Sequence, residues 1–128
     1  MRSFTSSLFL LMAFIAAPAA QSAERAYDAA AFETALKAGQ PVAVVFHADW
    51  CPTCRAQAPV LKELLLEPQR RELTLFVANF DSETALRKEF RVTKQSTIIV
   101  FKKGREVVRS TGDTQKSSLD SLLAAAGA

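Results

Sequence analysis

The sequence predicts an α/β fold: a central mixed β-sheet flanked by helices on both faces. Val42-Ala43-Val44-Val45-Phe46 is an apolar run without polar alternation, as a strand covered on both faces requires. A helix-like stretch from Arg55 to Leu66 and a second strand-like run from Leu73 to Phe80 follow it. Strand, helix and strand in that order make a βαβ unit, whose parallel pairing demands a right-handed crossover. Further on, Thr97 to Lys102, the turn Lys103-Gly104 and Glu106 to Arg109 read as a hairpin that adds antiparallel strands to the sheet.

The elements follow in order. Asp28 to Lys37 reads as the first helix, with Phe32, Ala35 and Leu36 on its apolar face. Asp28 suits its N-cap, because a short side-chain oxygen can accept from a free N–H of the first turn. Gly39 stops it. Pro41 to Phe46 is the first strand. From Cys54 to Leu66, residues Ala58, Leu61, Leu64 and Leu65 recur at helical spacing. Pro59 is expected to kink that helix, since it lacks an N–H and its ring crowds the preceding turn. After the Leu73–Phe80 strand, Asp81 or Ser82 is expected to cap a helix reaching Phe90. Gly112 to Thr114 breaks the chain before an Ala- and Leu-rich helix from Ser117 to Ala126.

The N-terminus reads differently. Arg2 precedes an all-apolar segment, Leu8 to Ala17, and small residues follow around Pro18, Ala19, Ala20, Ser22 and Ala23. That pattern is a secretory signal peptide, assigned to 1–23 with cleavage after Ala23; Ala19 or Ser22 would also serve as the last residue. The apolar segment is shorter than the roughly 20 residues a membrane span takes. Left uncleaved, it would be an anchor. The remainder, 24–128, is one domain with a single core. The implied destination is an oxidising compartment, the periplasm. The formal net charge is +3. Basic residues are scattered in short pairs, Arg70-Arg71, Arg87-Lys88 and Lys102-Lys103, which read as solvated faces. No clustered stripe marks a nucleic-acid partner.

Cys51 and Cys54 are the only cysteines. They lie in Trp50-Cys51-Pro52-Thr53-Cys54, after a strand and at the start of a helix. A structural disulfide closing so short a loop removes little unfolded-chain entropy. A structural zinc site takes four ligands, and the single histidine, His47, could add at most a third. A redox couple explains the spacing best; a metal or iron–sulfur module on the same cysteines is the alternative. A thiolate is the attacking species, and free N–H groups with the helix dipole favour one at Cys51. Cys54 lies on the same face of the first turn and can attack a mixed disulfide formed through Cys51. Pro52 fits the first helical turn and stiffens the loop. Trp50 offers an apolar surface for a partner's backbone. His47 is a residue of the strand tip that could tune a thiol. No cofactor beyond the Cys51–Cys54 disulfide and no resident metal is expected.

With these residues in view the chain resembles the thioredoxin family. The resemblance rests on Ala48-Asp49-Trp50-Cys51-Pro52-Thr53-Cys54, on Pro59 eight positions after Cys51, and on Asn79 and Asp81. It continues through Thr97-Ile98-Ile99-Val100-Phe101-Lys102-Lys103-Gly104 and Gly112, and so covers nearly all of 24–128. It implies the thioredoxin fold, with Cys51 as the attacking sulfur and Cys54 as the resolving one. Three departures from the family pattern matter. Where the family places a cis proline, this chain has Ser96, in Gln95-Ser96-Thr97. A non-proline cis bond costs about 3 kcal/mol, so a trans peptide between Gln95 and Ser96 is expected. That loop would then meet a substrate strand differently, and the Ser96 hydroxyl is a candidate hydrogen-bond partner near Cys51. The family's buried acid and its lysine partner fall on Val45 and Val77. Water, His47 or Asp49 would then have to take the resolving thiol's proton. The dipeptide between the cysteines, Pro52-Thr53, differs from the Gly-Pro of reducing thioredoxins and sets a different redox poise.

The resulting expectation is an exported thiol–disulfide oxidoreductase that reduces disulfides of other exported proteins. A membrane thiol carrier would supply its electrons, and it would act as a monomer. A disulfide-forming oxidant is the runner-up; oxidising relatives commonly carry a helical insertion for which this chain has no room.

Overall fold

The computed structural model describes residues 23–127. The signal-peptide reading of 1–22 lies outside the described residues. The expected cleavage point touches them only at Ala23.

The central strand β2 (Val42–His47) forms because its apolar, largely β-branched residues can be covered on both faces. It pairs in parallel with β3 (Thr74–Asn79), setting Val45 opposite Val77 and His47 opposite Asn79. On its other edge it pairs antiparallel with β4 (Thr97–Lys102), setting Phe46 opposite Thr97. Strand β5 (Arg105–Thr111) folds back on β4. Lys103 and Gly104 make the turn with φ of 51° and 77°, the double left-handed geometry that suits a two-residue hairpin. A β-carbon on Gly104 would stand 2.8 Å from the Leu36 carbonyl oxygen, so glycine is required there by space as well as by φ.

Sequence patterning did not anticipate β1 (Ala23–Ala26), a short strand exposed throughout that pairs in parallel with β3. Its residues have no apolar face of their own. It exists because β3 offers an open edge, closed by bonds such as Ala23 N–H to the Leu73 carbonyl and Tyr27 N–H to the Val77 carbonyl. The sheet order is β1-β3-β2-β4-β5. The thioredoxin fold expected from the resemblance is the observed fold.

Helix α1 (Ala29–Lys37) is capped by Asp28, whose carboxylate accepts from Ala31 N–H at 2.8 Å. With α3 (Thr84–Glu89) it covers one face, where Phe32, Val44, Phe46, Phe76, Leu86 and Phe101 pack together with both cysteines. Helices α2 (Pro52–Leu65) and α4 (Lys116–Ala124) cover the other, through Val45, Leu61, Leu64, Ile98, Leu119 and Leu123. Alternate β2 residues thus face opposite cores, as the pleat requires. Helix α2 starts at Pro52, two residues earlier than the periodicity suggested, and runs on through Pro59. No helix among the described residues is long and apolar enough to cross a membrane.

Two expectations are corrected. Asp81 and Ser82 do not cap α3. The Asn79 side-chain oxygen accepts from both of their N–H groups in a tight turn, and the helix opens later, after Glu83, without a side-chain cap. Nor are the basic pairs all solvated. Arg70, in a 3₁₀ turn over Pro68–Arg70, is only 4% exposed and meets Asp120 on α4 at 2.5 Å. Arg87 lies over the Phe80 ring, 4.0 Å from its centre.

Phe32 stands at the centre of an aromatic cluster, with ring centres 5.4 Å from Phe76, 5.5 Å from Phe101 and 5.6 Å from Tyr27. Phe32→Ala should destabilise the domain by about 3–5 kcal/mol, read from urea unfolding midpoints at constant m-value. A loss under about 1 kcal/mol would show that this cluster does not organise the face.

Candidate active site

The chain leaves β2 through Ala48-Asp49-Trp50 and enters α2 at Cys51, which is the N-cap residue with extended backbone. Its N–H is used by the Ala48 carbonyl at 3.1 Å, and its carbonyl opens the helix by accepting from Arg55 N–H. The cap's usual oxygen is here a sulfur: Cys51 Sγ accepts from Cys54 N–H at 3.4 Å. Pro52 takes the first helical position, where no N–H is needed. Thr53 is half-buried. Both cysteines are free thiols, Cys51 8% exposed and Cys54 1%. Cys51 is therefore the more open of the two.

The Cys51 thiol is held below the ordinary thiol range. The Cys54 N–H contributes most, burial opposes it, and the Cys54 side chain, the Ser96 hydroxyl and the Thr53 N–H add to the lowering. Donors aimed at one sulfur stabilise its anion.

Ser96 faces this pair from the turn before β4. The expected trans peptide is observed: there is no cis bond among the described residues. The chain makes the turn instead by placing Ser96 at φ 59°. Ser96 N–H donates to the Phe46 carbonyl at 2.8 Å. Its hydroxyl oxygen lies 2.9 Å from Cys54 Sγ and 3.7 Å from Cys51 Sγ. The hydroxyl expected near Cys51 is thus nearer to Cys54. Thr97 turns away; its hydroxyl bonds to the Lys94 carbonyl and the Thr111 hydroxyl and holds the turn to β5. Gln95 is half-buried beside Ser96.

Trp50 is 57% exposed, and its indole N–H donates to Asp81 at 2.8 Å, fixing a broad apolar surface next to Cys51. His47 and Asp49 pair with each other at 2.9 Å, and neither is hydrogen-bonded to a sulfur. Among the described residues no group of three or more His, Cys, Asp or Glu side chains could hold a metal ion. Val45 and Val77, where the resemblance would put an acid and a lysine, are neighbours in register. They help line a cleft of about 150 Å³ with Glu24, His47, Gln57 and Lys62, whose lining includes neither cysteine.

Sequence reasoning missed Gln57. It is 1% exposed, and its amide donates to the carbonyls of Ser96 at 3.3 Å and Asp113 at 2.7 Å. It ties α2 to both turns that frame the sulfurs. The signal was present: Gln57 lies three residues after Cys54, on the stripe that continues to Leu61, as a polar residue among apolar ones.

A family model described as Thioredoxin matches residues 24–125. The chain belongs to the thioredoxin family. It is 36% identical over 93 residues to a thioredoxin of Alicyclobacillus acidocaldarius, covering 73% of this chain and 88% of that protein. It is 38% identical over 92 residues to a bifunctional thioredoxin reductase/thioredoxin of Mycobacterium leprae, 72% of this chain but only 20% of that longer protein. Among solved structures, Trxlp from Edwardsiella tarda superposes with a TM-score of 0.77 at 42% identity, covering 79% of this chain and 98% of that one. The Malassezia sympodialis thioredoxin matches with a TM-score of 0.73 at 19% identity, a likeness of fold. The family's chemistry is thiol–disulfide exchange through a redox-active dithiol, without an external cofactor, and this member of it is accordingly a thiol–disulfide oxidoreductase.

The lowered Cys51 thiol fixes a pH dependence. Its anion is favoured in the folded, reduced state, so stability from this group is present above the ordinary thiol range and is lost as pH falls through the lowered folded value. Reduced wild-type protein should therefore gain stability over Cys51→Ala as pH rises across that window. Alkylation of Cys51 should persist below the free-thiol value of about 8.5. A pH-independent stability difference, with alkylation that follows a free thiol, would contradict the arrangement.

Proposed function

We propose that this protein is exported to the periplasm and there reduces disulfide bonds in other exported proteins, as a monomer recharged by a membrane thiol carrier. The observation that carries the chemistry is Cys51 Sγ at the helix start, accepting the Cys54 N–H with Cys54 buried behind it. In this reading Cys51 attacks, Cys54 resolves, and the Trp50 surface with Gln95, Ser96 and Thr97 meets the substrate chain. Export is supported by the charged, apolar and small-residue order of the first 23 residues. The reducing direction is supported by the element order from β1 to α4, which carries no inserted helical unit. An exported reductase has no soluble reducing pool to draw on, hence the membrane thiol carrier.

The roles are tested by trapping. Cys54→Ser should accumulate mixed disulfides with exported proteins, each broken by reductant, and Cys51→Ser should yield none. Equal yields from the two variants would reverse or void the assignment. Location is tested by fractionating cells and sequencing the N-terminus of the mature protein, expected to begin at Glu24. A cytoplasmic protein with an intact leader would remove the exported substrates. Equilibration of the Cys51/Cys54 couple with glutathione should give a couple more reducing than glutathione itself; a strongly oxidising one would favour the opposite direction.

A further inference from the structure

Resting on the dithiol roles just proposed, the geometry points to Ser96 as a catalytic hydroxyl that serves the two sulfurs in turn, first Cys51 and then Cys54. One oxygen lies within hydrogen-bonding distance of both reacting atoms, 2.9 Å from Cys54 Sγ and 3.7 Å from Cys51 Sγ. It is fixed there. Ser96 is 1% exposed, its N–H is held by the Phe46 carbonyl, and its own carbonyl accepts from Gly112 N–H and the Gln57 amide. Its φ of 59° lies where residues with a β-carbon are seldom found, so the backbone is bent to bring this side chain between the sulfurs.

Among the described residues no other side-chain oxygen or nitrogen is bonded to both sulfurs. The Cys54 thiol also meets the Cys51 side chain and, at 3.9 Å, the Phe46 carbonyl oxygen. A carbonyl accepts a proton in a hydrogen bond but cannot donate one to an anion. Charged side chains on the surrounding segments include His47 at the end of β2, Asp49 after it, Asp81 after β3, where it accepts from the Trp50 indole, Arg55 on α2, Lys94 before β4 and Asp113 before α4. His47 and Asp49 engage each other, Arg55 donates to the Asp49 carbonyl, and Asp113 caps the turn into α4 through Gln115 N–H. None is bonded to a sulfur.

A hydroxyl carries one proton to donate and lone pairs to accept. In the reduced protein the Cys54 thiol donates to Ser96 Oγ while the Ser96 O–H donates to the Cys51 thiolate. That thiolate attacks a substrate disulfide, R–S–S–R′. The Cys51–S–S–R bond forms, the old S–S bond breaks, and R′–S⁻ leaves to take a proton from water. Cys51 is then uncharged and no longer draws the hydroxyl proton. Ser96 turns its O–H to Cys54 as the Cys54 proton passes to solvent water. A hydrogen bond to an ionised acceptor is about twice as strong as a neutral one, so the emerging thiolate gains by the exchange. The Cys54 thiolate attacks Cys51 Sγ, closes the Cys51–Cys54 disulfide and expels R–S⁻, which is protonated by water. Two electrons leave the protein sulfurs, and one substrate disulfide becomes two thiols.

The test uses Ser96→Gly, which removes the hydroxyl and favours the same φ, and Ser96→Ala, which removes it on a backbone that resists that φ. Reduced full-length protein is mixed with one equivalent of an aromatic disulfide, quenched with acid and weighed by mass spectrometry; thiolate absorbance is titrated in parallel. In both variants the Cys51 adduct should persist about tenfold longer than in wild type, as expected for losing a hydrogen bond to a charged group. The Cys51 thiolate titration should move to higher pH. Equal defects in two variants of unequal stability would identify the hydroxyl rather than the backbone. Adduct lifetimes within about twofold of wild type in either folded variant would overturn the role of Ser96, leaving the dithiol reading intact because the variant still turns over. Absence of any adduct from both wild type and Cys54→Ser would overturn the two together.

Discussion

The hydrogen bond from Ser96 N–H to the Phe46 carbonyl, 2.8 Å long, is the joint on which the site depends. Phe46 is the next-to-last residue of the central strand, and the dithiol follows within a few residues of it. Ser96 ends the turn that delivers the chain to the antiparallel partner of that strand. The bond therefore makes one unit of two segments separated by 50 positions in sequence. The same carbonyl receives the Cys54 thiol, so strand end, helix start and facing turn converge on a single oxygen. The register of Phe46 with Thr97 is the continuation of this joint into the sheet.

Burial explains why the joint is rigid. The central strand is covered on both faces, its even-numbered side by aromatic rings and its odd-numbered side by the leucines of α2 and α4. Close-packed cores resist small displacements. The sulfurs belong to the first of these clusters, so the reactive pair is seated in packed structure rather than carried on a free loop. Gln57 adds a polar clamp from α2, the one point where the helix reaches across to both framing turns.

The parts legible in the sequence were those set by local order. The apolar run of β2, the proline and cysteines of the helix start, the Asp28 cap and the Lys103-Gly104 turn each act through neighbours a few residues away. The parts not legible came from distant partners. Strand β1 has no pattern of its own and is created by the open edge of β3. Arg70 looked like half of a solvated basic pair because its partner, Asp120, is 50 residues on. Asp81 looked like a helix cap because a short acid before a helix usually is one; the Trp50 indole engages it instead. For Ser96, the substitution and the trans peptide were legible from the chain, but only the fold reveals that a left-handed backbone there places one oxygen between two sulfurs.

Trp50 is the only tryptophan of the chain, and it stands half-exposed beside the more open cysteine with its ring nitrogen tied to Asp81. Any partner that docks on this surface changes the solvent around a solitary indole, and any bond made at the sulfur next to it in sequence changes that indole's surroundings. The protein thus carries its own optical reporter, free of background from other indoles, at the point where its substrates arrive.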